Sequence, residues 1–168
     1  PMQILLQKGP LVIRRAEKSD VSAITKLIQA LALYEKAPEQ CFATDELIES
    51  SVFDRGEAQV LMAEYDGEVA GMALYFYNYS TWKARKGLYL EDLFVYPEMR
   101  GKGIGKTLIL TLGKMAAAEG CGRFEWCCLD WNTPSINFYK SLGAKPMDEW
   151  TIYRLEGEAL QKLAEEGE

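Results

Sequence analysis

Hydrophobic residues in the first third of the chain recur at the spacing of an amphipathic helix. After Ser19 and Asp20, two residue types favoured as helix N-caps, apolar side chains return every three or four positions at Val21, Ile24, Leu27, Ile28 and Leu31. This pattern predicts a helix that runs to about Glu35. The apolar run at 11–14 predicts a first strand before it, and Thr44 predicts the start of a second, short helix.

The middle of the chain has the pattern of β-strands joined by a tight turn. Residues 60–65 and 69–77 are rich in β-branched, aromatic and other apolar residues, and Asp66-Gly67 separates the two runs. Because Asp-Gly suits the positive φ angles of a type I′ turn, the pattern predicts a hairpin. A polar stretch then leads to a further predicted strand at 87–95.

Helical spacing returns after a group of glycines. Apolar residues from Ile104 to Ala116 predict a third helix, which Gly120 ends. Residues 124–129 predict a strand, and Thr133 followed by Pro134 predicts an N-cap with proline in first helical position. The remaining predicted elements are a helix to about Leu142, a last strand at 151–155 and a final amphipathic helix at 158–165.

The size and composition of the chain fit one soluble domain. It has 168 residues, of which 48% are hydrophobic and 26% charged, close to the average for globular proteins. The order of predicted elements, with an antiparallel hairpin, predicts a mixed α/β fold. We expect a single domain over 11–168, preceded by an N-terminal extension over 1–10.

The charge balance and the lack of histidine exclude several functions. Nineteen basic and 25 acidic residues give a net charge of −6, which argues against a nucleic-acid groove and favours a cationic small molecule. No histidine is present, so Ser-His and Cys-His nucleophile pairs and histidine-ligated zinc are excluded. We expect no metal.

The cysteines and the hydropathy predict a cytoplasmic protein. None of the four cysteines forms a C-x-x-C pair, which is typical of free thiols in a reducing compartment. No apolar run approaches the ~18 residues that a membrane span needs. We therefore expect no membrane association.

The segment 89–106 carries the strongest functional signal. Gly101, Gly103 and Gly105 follow a predicted strand and open a helix, so main-chain N–H groups and the positive end of the helix dipole could bind a phosphate. Arg100 occupies the position where a Walker A loop needs glycine, and the spacing of the glycines is not G-x-G-x-x-G. The segment does satisfy R/Q-x-x-G-x-G/A, the signature of acyltransferases that use acetyl-CoA.

The chain resembles the GNAT N-acetyltransferases and, within them, the spermidine/spermine (diamine) N-acetyltransferase branch. The resemblance covers residues 11 to about 165 and is carried by residues 32–35, 39–40, 89–95 and 130–140. The block W-N-x-P-S-I-N-F-Y-K-x-x-G-A at 131–144 is its most specific part. The resemblance implies a largely antiparallel twisted central sheet, splayed between the fourth and fifth strands, with helices on both faces, and it implies a homodimer.

The resemblance also implies which residues bind acetyl-CoA. The pantetheine arm would lie along the backbone of Leu93, Phe94 and Val95. Asn132 and Ser135 would hold the cofactor near its thioester, and Tyr139 would donate a proton to the departing thiolate. The pyrophosphate would lie on the turn formed by Arg100, Gly101, Lys102, Gly103, Ile104, Gly105 and Lys106.

On the amine side, the resemblance implies an acceptor pocket lined by Tyr34, Glu35, Glu91, Glu125, Trp126, Cys127 and Glu149. A primary amine of pKa ~10.4 is neutral in only about one molecule in 2,500 at pH 7, so a proton acceptor is needed. Strand alternation places Glu91 and Asp92 on opposite faces, and we expect Glu91 to act, through a bound water.

The sequence leaves the acceptor open. A polyamine or diamine comes first, and transfer would occur by direct attack in a ternary complex. If the basic residues Lys83, Arg85 and Lys86 border the pocket, they favour instead a lysine-like acceptor, whose carboxylate they would bind. A protein amine and a non-catalytic, CoA-binding regulatory module are further alternatives.

Overall fold

The computed structural model describes residues 2–166. They divide into two compact units, Pro1–Cys127 and Cys128–Glu168. The first unit contains the sheet and three helices, and the second contains two helices. The expectation of a single domain over 11–168 stays a prediction.

The first unit is built on a six-stranded mixed sheet in the order β1 to β6. All neighbouring strands are antiparallel except β5 and β6, which are parallel. This confirms the predicted mixed, largely antiparallel fold. The strands are β1 Ile4–Lys8, β2 Leu11–Arg15, β3 Gln59–Tyr65, β4 Glu68–Ser80, β5 Arg85–Val95 and β6 Phe124–Trp126.

Helices pack on both faces of this sheet. Phe94 of β5 belongs to a core cluster with Ile24, Leu27 and Leu31 of the first helix, whereas Leu93 and Val95, which point the other way, approach Gly105 of the third helix. The helices of the first unit are α1 Val21–Tyr34, α2 Asp45–Ile48, which a π-helical segment Glu49–Asp54 extends, and α3 Ile104–Ala118. Those of the second unit are α4 Thr133–Ser141 and α5 Gly157–Glu165.

Local sequence signals placed most of these elements correctly. Asp66 and Gly67 have φ angles of 51° and 81° between β3 and β4, as a type I′ turn requires. The Oγ1 of Thr44 accepts a hydrogen bond from the N–H of Leu47 at 3.2 Å, so Thr44 caps α2 as predicted.

Three elements differ from the sequence prediction. Residues 4–8, placed in an extension, form β1 because they pair with the free edge of β2. The strand at 124–129 ends at Trp126, and the described residues contain no strand at 151–155, where Ile152 and Tyr153 are exposed and no ladder partner is present. Asn132, not Thr133, caps α4, because its side-chain oxygen accepts the N–H of Ser135.

A buried ion-pair group joins β2, β3 and the start of α1. The Arg14 guanidinium donates to both carboxylate oxygens of Asp20, at 2.8 and 2.9 Å, and to Glu64 at 3.0 Å. Asp20 also accepts the N–H of Glu17 at 2.7 Å. The bond from Arg14 holds the pKa of Asp20 below its ordinary value, against the effect of burial. Removing one partner would leave the Arg14 charge, 5% exposed, poorly compensated.

Asp20→Asn should lower the free energy of unfolding at pH 7 by about 3 kcal/mol, measured by chemical denaturation. Because the native pKa of Asp20 is lowered, its stabilisation is present above the unfolded pKa of ~3.9 and is lost as the pH falls through the native value, so the difference should shrink in acid. Asp54→Asn, in the exposed Lys18–Asp54 pair, is the control and should cost less than ~1 kcal/mol. Equal losses in the two variants would contradict a structural role for the buried group.

Candidate active site

The turn between β5 and α3 has a backbone that only glycine adopts easily. Gly101 and Gly103 have φ angles of 81° and 76°, and Gly103 is the N-cap of α3. Nothing lies within 4 Å of a Cβ built on either residue, so the conformation, rather than crowding, requires glycine there. The sequence prediction of a glycine-dependent turn at this place agrees with the structure.

The main-chain N–H groups of this turn lack a hydrogen-bond acceptor among residues 2–166. After Arg100, the first N–H in that range that donates a backbone hydrogen bond is that of Thr107, to the oxygen of Gly103 at 3.0 Å. No side chain of the described residues caps the helix either. The N–H groups of 101–106, at the positive end of α3, are therefore available to an anion.

Basic side chains surround these amides. The guanidinium of Arg100 donates to the Val95 oxygen at 3.2 Å and lies 4.8 Å from the ring centre of Tyr34. The ammonium of Lys102 lies 5.1 Å from the ring centre of Tyr65. A cavity of about 410 Å³ beside the turn is lined by Lys8, Pro10, Leu11, Tyr65, Lys102, Gly103, Lys106, Thr107 and Leu110. Positive charge is thus concentrated here in a chain of net charge −6.

Beyond its first half, β5 has a strand partner on one side only within the first unit. It pairs with β4 as far as Val95, but with β6 only at Leu88, Tyr89 and Leu90. The ladder stops at Leu90 because its partner Trp126 is the last residue of β6, so the sheet is open there, as the splay implied by the resemblance requires. Phe94 is 4% exposed and packs in the core, so only its backbone can serve a ligand along this open edge.

A β-bulge places two carboxylates in the same stretch of β5. Leu74 lies opposite Asp92 and Tyr75 lies opposite Leu90, so Glu91 has no partner in β4. Strict alternation, from which we expected Glu91 and Asp92 on opposite faces, is interrupted at this bulge, so that placement stays a prediction. Both Glu91 and Glu35 act on Asp92 electrostatically.

Two carboxylates, Asp92 and Glu35, have raised pKa values. Burial, followed by the charges of Glu91 and Glu35, raises the pKa of Asp92 to about 7. Burial and then Glu91 raise the pKa of Glu35, which follows the last residue of α1. We call Glu35, Glu91 and Asp92 the carboxylate group. Three like charges close together favour the binding of a cation.

A cavity of about 290 Å³ opens beside Glu35. Its wall is mostly apolar and comes from α1 and from the segment that leads to α2, which includes a 3₁₀ turn at Pro38–Gln40. The lining residues are Ile28, Leu31, Ala32, Glu35, Ala37, Gln40, Cys41, Phe42 and Ala43. Tyr34 is predicted with Glu35 on the amine side. Its ring centre lies 6.4 Å from that of Phe94, with the two rings tilted, and 4.8 Å from the guanidinium of Arg100.

The structure adds a residue that sequence reasoning missed on the β6 side. Tyr89 lies opposite Glu125, and its hydroxyl is 2.8 Å from the sulfur of Cys127. Burial and then Cys127 raise the pKa of Tyr89 well above its ordinary value. Glu125 lies 3.7 Å from the guanidinium of Arg123, so its charge is partly compensated. Trp126 contacts the ring of Phe124.

In the second unit, α4 carries three of the predicted residues. The side-chain oxygen of Asn132 accepts the N–H of Ser135 at 3.4 Å, and Tyr139 follows Ser135 by one turn on the same helix face. The Tyr139 ring lies 5.6 Å from that of Phe138. Glu149 lies outside α4 and α5, in an exposed segment.

The basic residues Lys83, Arg85 and Lys86, just before and at the start of β5, do not adjoin the carboxylate group. The ammonium of Lys86 binds Glu119 at 3.1 Å and lies over the ring of Tyr77, while Arg85 donates to the Lys83 oxygen. Lys86 and Asp92 are six positions apart on one strand, which is about 20 Å. Within the first unit, Lys86 therefore does not border the carboxylate group, which was the condition under which this stretch would favour a lysine-like acceptor.

Residues 2–166 contain neither a cluster of metal-binding side chains nor a membrane-spanning helix. In that range, no group of at least three histidine, cysteine, aspartate or glutamate residues could hold a metal ion. No helix among these residues is long and apolar enough to cross a bilayer.

Comparison with known proteins identifies the family. The model of the acetyltransferase (GNAT) family matches residues 24–144. A thialysine N-epsilon-acetyltransferase of Bos taurus is 38% identical over 91% of this chain and 96% of its own length. A spermidine/spermine N(1)-acetyltransferase-like protein of Homo sapiens is 31% identical over 90% of this chain and 23% of its own.

A solved structure supports the same conclusion. An integron cassette protein from the mobile metagenome of V. cholerae superposes with a TM-score of 0.80, at 29% identity, over 94% of this chain and 99% of that one. The open sheet and the glycine turn of this chain agree with these comparisons. The family model and these relatives show that the chain belongs to the GNAT acetyltransferase family and is an acyltransferase.

Proposed function

We propose that this protein transfers an acetyl group from acetyl-CoA to a primary amine of a small molecule that carries a second amine. The observation that supports this most strongly is the row of main-chain N–H groups at 101–106, in the turn that follows β5, the strand that carries Glu91 and Asp92. A candidate anion site and a candidate cation site are thus connected by the second half of β5. The amine would attack directly, in a ternary complex with the donor.

The residues present fit the donor. The amides and lysines of 100–106 suit a pyrophosphate, and the edge of Leu93, Phe94 and Val95 that faces away from β4, and that β6 does not pair, suits the amides of a pantetheine arm. Asn132, Ser135 and Tyr139 are proposed to act near the thioester. When bound, acetyl-CoA supplies an activated acyl group, and no metal is needed for that chemistry.

The carboxylate group suits an acceptor with two amines on an aliphatic chain. Glu35 would bind the distal ammonium, and the apolar wall beside it would contact the methylene groups. The names of two relatives mention thialysine and spermidine, and each of these molecules carries at least two amines. A diamine and a lysine analogue therefore both fit, and Tyr34, Glu91, Glu125, Trp126, Cys127 and Glu149 are proposed as further acceptor residues.

We also propose a homodimer in the cytoplasm. The aromatic residues of β4 and of the turn after it, which are candidates for a dimer contact, differ in exposure: Tyr79 is 62% and Trp82 91% exposed, whereas Tyr75 is fully buried and cannot contact a partner. Tyr77 is partly exposed, and its hydroxyl donates to Glu119. A contact surface would therefore centre on the end of β4 and the turn after it.

A steady-state assay with acetyl-CoA and a panel of diamines, lysine analogues, monoamines and peptides tests the proposed function. We expect the highest kcat/KM for small molecules with two amines. In the same assay, Glu35→Gln should raise KM for a diamine at least ~10-fold and change it little for a monoamine, because only the diamine has a distal charge. Glu46→Gln, at the exposed start of α2, is the control. Equal effects on both acceptors would rule out recognition of the distal charge by Glu35.

Gly105→Ala should weaken CoA binding at least ~10-fold, measured by calorimetry, because a methyl group would stand where the ligand approaches the helix. A Cβ there meets only Leu93 and Val95, at 3.9 Å, so the fold itself tolerates alanine, and helix propensity favours it by up to ~1 kcal/mol. Gly113→Ala, also in α3 with open space around it, should leave CoA binding unchanged. Unaltered affinity in Gly105→Ala would place the ligand elsewhere.

Tyr139→Phe should lower kcat at least ~10²-fold while CoA affinity stays nearly constant, because the ring and its packing on Phe138 remain and only the proton donor is lost. A thiol of pKa ~8.5 and a phenol of pKa ~10 differ by about 2 kcal/mol, so the transfer is uphill but feasible. Tyr153→Phe, on the exposed segment after α4, is the control. Unchanged turnover would remove Tyr139 from the mechanism.

A further inference from the structure

Asp92 is a half-buried carboxylate without a compensating partner. Among residues 2–166 its side chain makes neither an ion pair nor a hydrogen bond. The buried Asp20, in contrast, is bound by Arg14 and by the N–H of Glu17. Native structures rarely keep a carboxylate in such surroundings without a function.

The bulge in β5 puts Asp92 at the position where the sheet opens. Asp92 lies directly opposite Leu74, while Glu91 is the inserted residue and is exposed. Both follow Leu90, the last residue of β5 that pairs with β6. Asp92 is therefore held by the ladder with β4, and it is near the open edge along which the acyl donor is proposed to lie.

The charged groups that act on Asp92 are negative. Glu91 comes from β5 and Glu35 from the end of α1, and β4 contributes the apolar Leu74. Arg100, whose guanidinium lies near Phe94 of β5, is engaged by the Val95 oxygen and by the rings of Tyr34 and Phe94. Burial and two like charges make a carboxylate a stronger base.

We propose that Asp92, rather than Glu91, takes up the proton that the acceptor ammonium must lose before it can attack. This assignment rests on the proposed function. Glu91 and Glu35 then have a different part, since their negative charges increase the basicity of Asp92 and attract the cationic acceptor. The pKa of Asp92, about 7, suits a proton acceptor that works near neutral pH.

The proton balance is complete without a further reactant. One proton passes from the ammonium nitrogen to a carboxylate oxygen of Asp92, which leaves a neutral amine and a neutral carboxyl group. The nitrogen lone pair then forms the C–N bond as the C–S bond of the thioester breaks. The nitrogen loses a second proton, the departing thiolate gains one, and Asp92 releases its own proton to solvent before the next turnover.

The pH dependence of kcat/KM, measured with saturating acetyl-CoA, distinguishes the two carboxylates. For the wild type we expect kcat/KM to fall about tenfold per pH unit below an apparent pKa near 7, because with acetyl-CoA saturating this ratio reports groups of the enzyme–acetyl-CoA complex before the amine binds. Asp92→Asn should lower kcat/KM at pH 8 at least ~10²-fold. It should also remove the fall of kcat/KM at low pH, the acidic limb of the profile. Glu91→Gln should keep the limb and move it to lower pH, because a like charge next to Asp92 is removed.

The opposite pattern would overturn the assignment: a limb that persists in Asp92→Asn and disappears in Glu91→Gln makes Glu91 the proton acceptor. Thermal unfolding and CoA binding check that each variant is folded. If Asp92→Asn does not fold, the shift in Glu91→Gln still decides between the two residues.

A second measurement does not depend on activity. The side-chain carboxyl carbon of Asp92 can be titrated by NMR in the wild type with ¹³C-labelled aspartate. A midpoint of 6 or above supports the proposal, and a lower midpoint contradicts it. If the protein acetylates none of the amines in the panel, the proposed function fails, whereas this titration still reports whether Asp92 is an unusually strong base.

Discussion

The main-chain amides between β5 and α3 are the feature on which the account of this protein depends. Positive φ angles at Gly101 and Gly103 turn the chain into α3 without a capping side chain, and the N–H groups of 101–106 are left without acceptors among residues 2–166. A fold that met every hydrogen-bonding need internally would have capped this helix. The turn instead has the form of an anion site, supported by basic side chains in an otherwise acidic chain.

The second constraint is the course of β5. This strand pairs with β4 throughout but with β6 over three residues only, so its second half has an open edge within the first unit. The bulge at Glu91 adds two carboxylates next to this edge. Two carboxylates, an open strand edge and amides without acceptors thus follow one another along 90–106. In the proposed function, donor binding, acyl positioning and amine binding all depend on this one segment of backbone.

Local signals were sufficient to predict much of this arrangement. The spacing of Val21 to Leu31 predicted α1, Asp66-Gly67 predicted the turn between β3 and β4, and the glycines after Arg100 predicted the turn before α3. The motifs at 89–106 and 131–144 led to the family, which the comparisons show. In each case a few neighbouring residues determine the local backbone, so that one sequence is enough to recognise them.

The features that sequence reasoning missed depend on contacts between distant segments. The bulge at Glu91 arises from the register between β4 and β5, so the alternation of β5 alone cannot reveal it. The contact between Tyr89 and Cys127 requires the short parallel ladder of β5 and β6. Similarly, residues 4–8 form a strand because β2 offers an edge, whereas the strand predicted at 151–155 finds no partner among the described residues.

The central claim, that these amides bind the pyrophosphate of CoA, is tested most directly by following their NMR signals as CoA is added. The account predicts that the ¹H–¹⁵N signals of residues 101–106 shift most and that their hydrogen exchange slows, since each N–H gains an acceptor. Binding of CoA without changes at these residues, or changes spread evenly over the sheet, would contradict it.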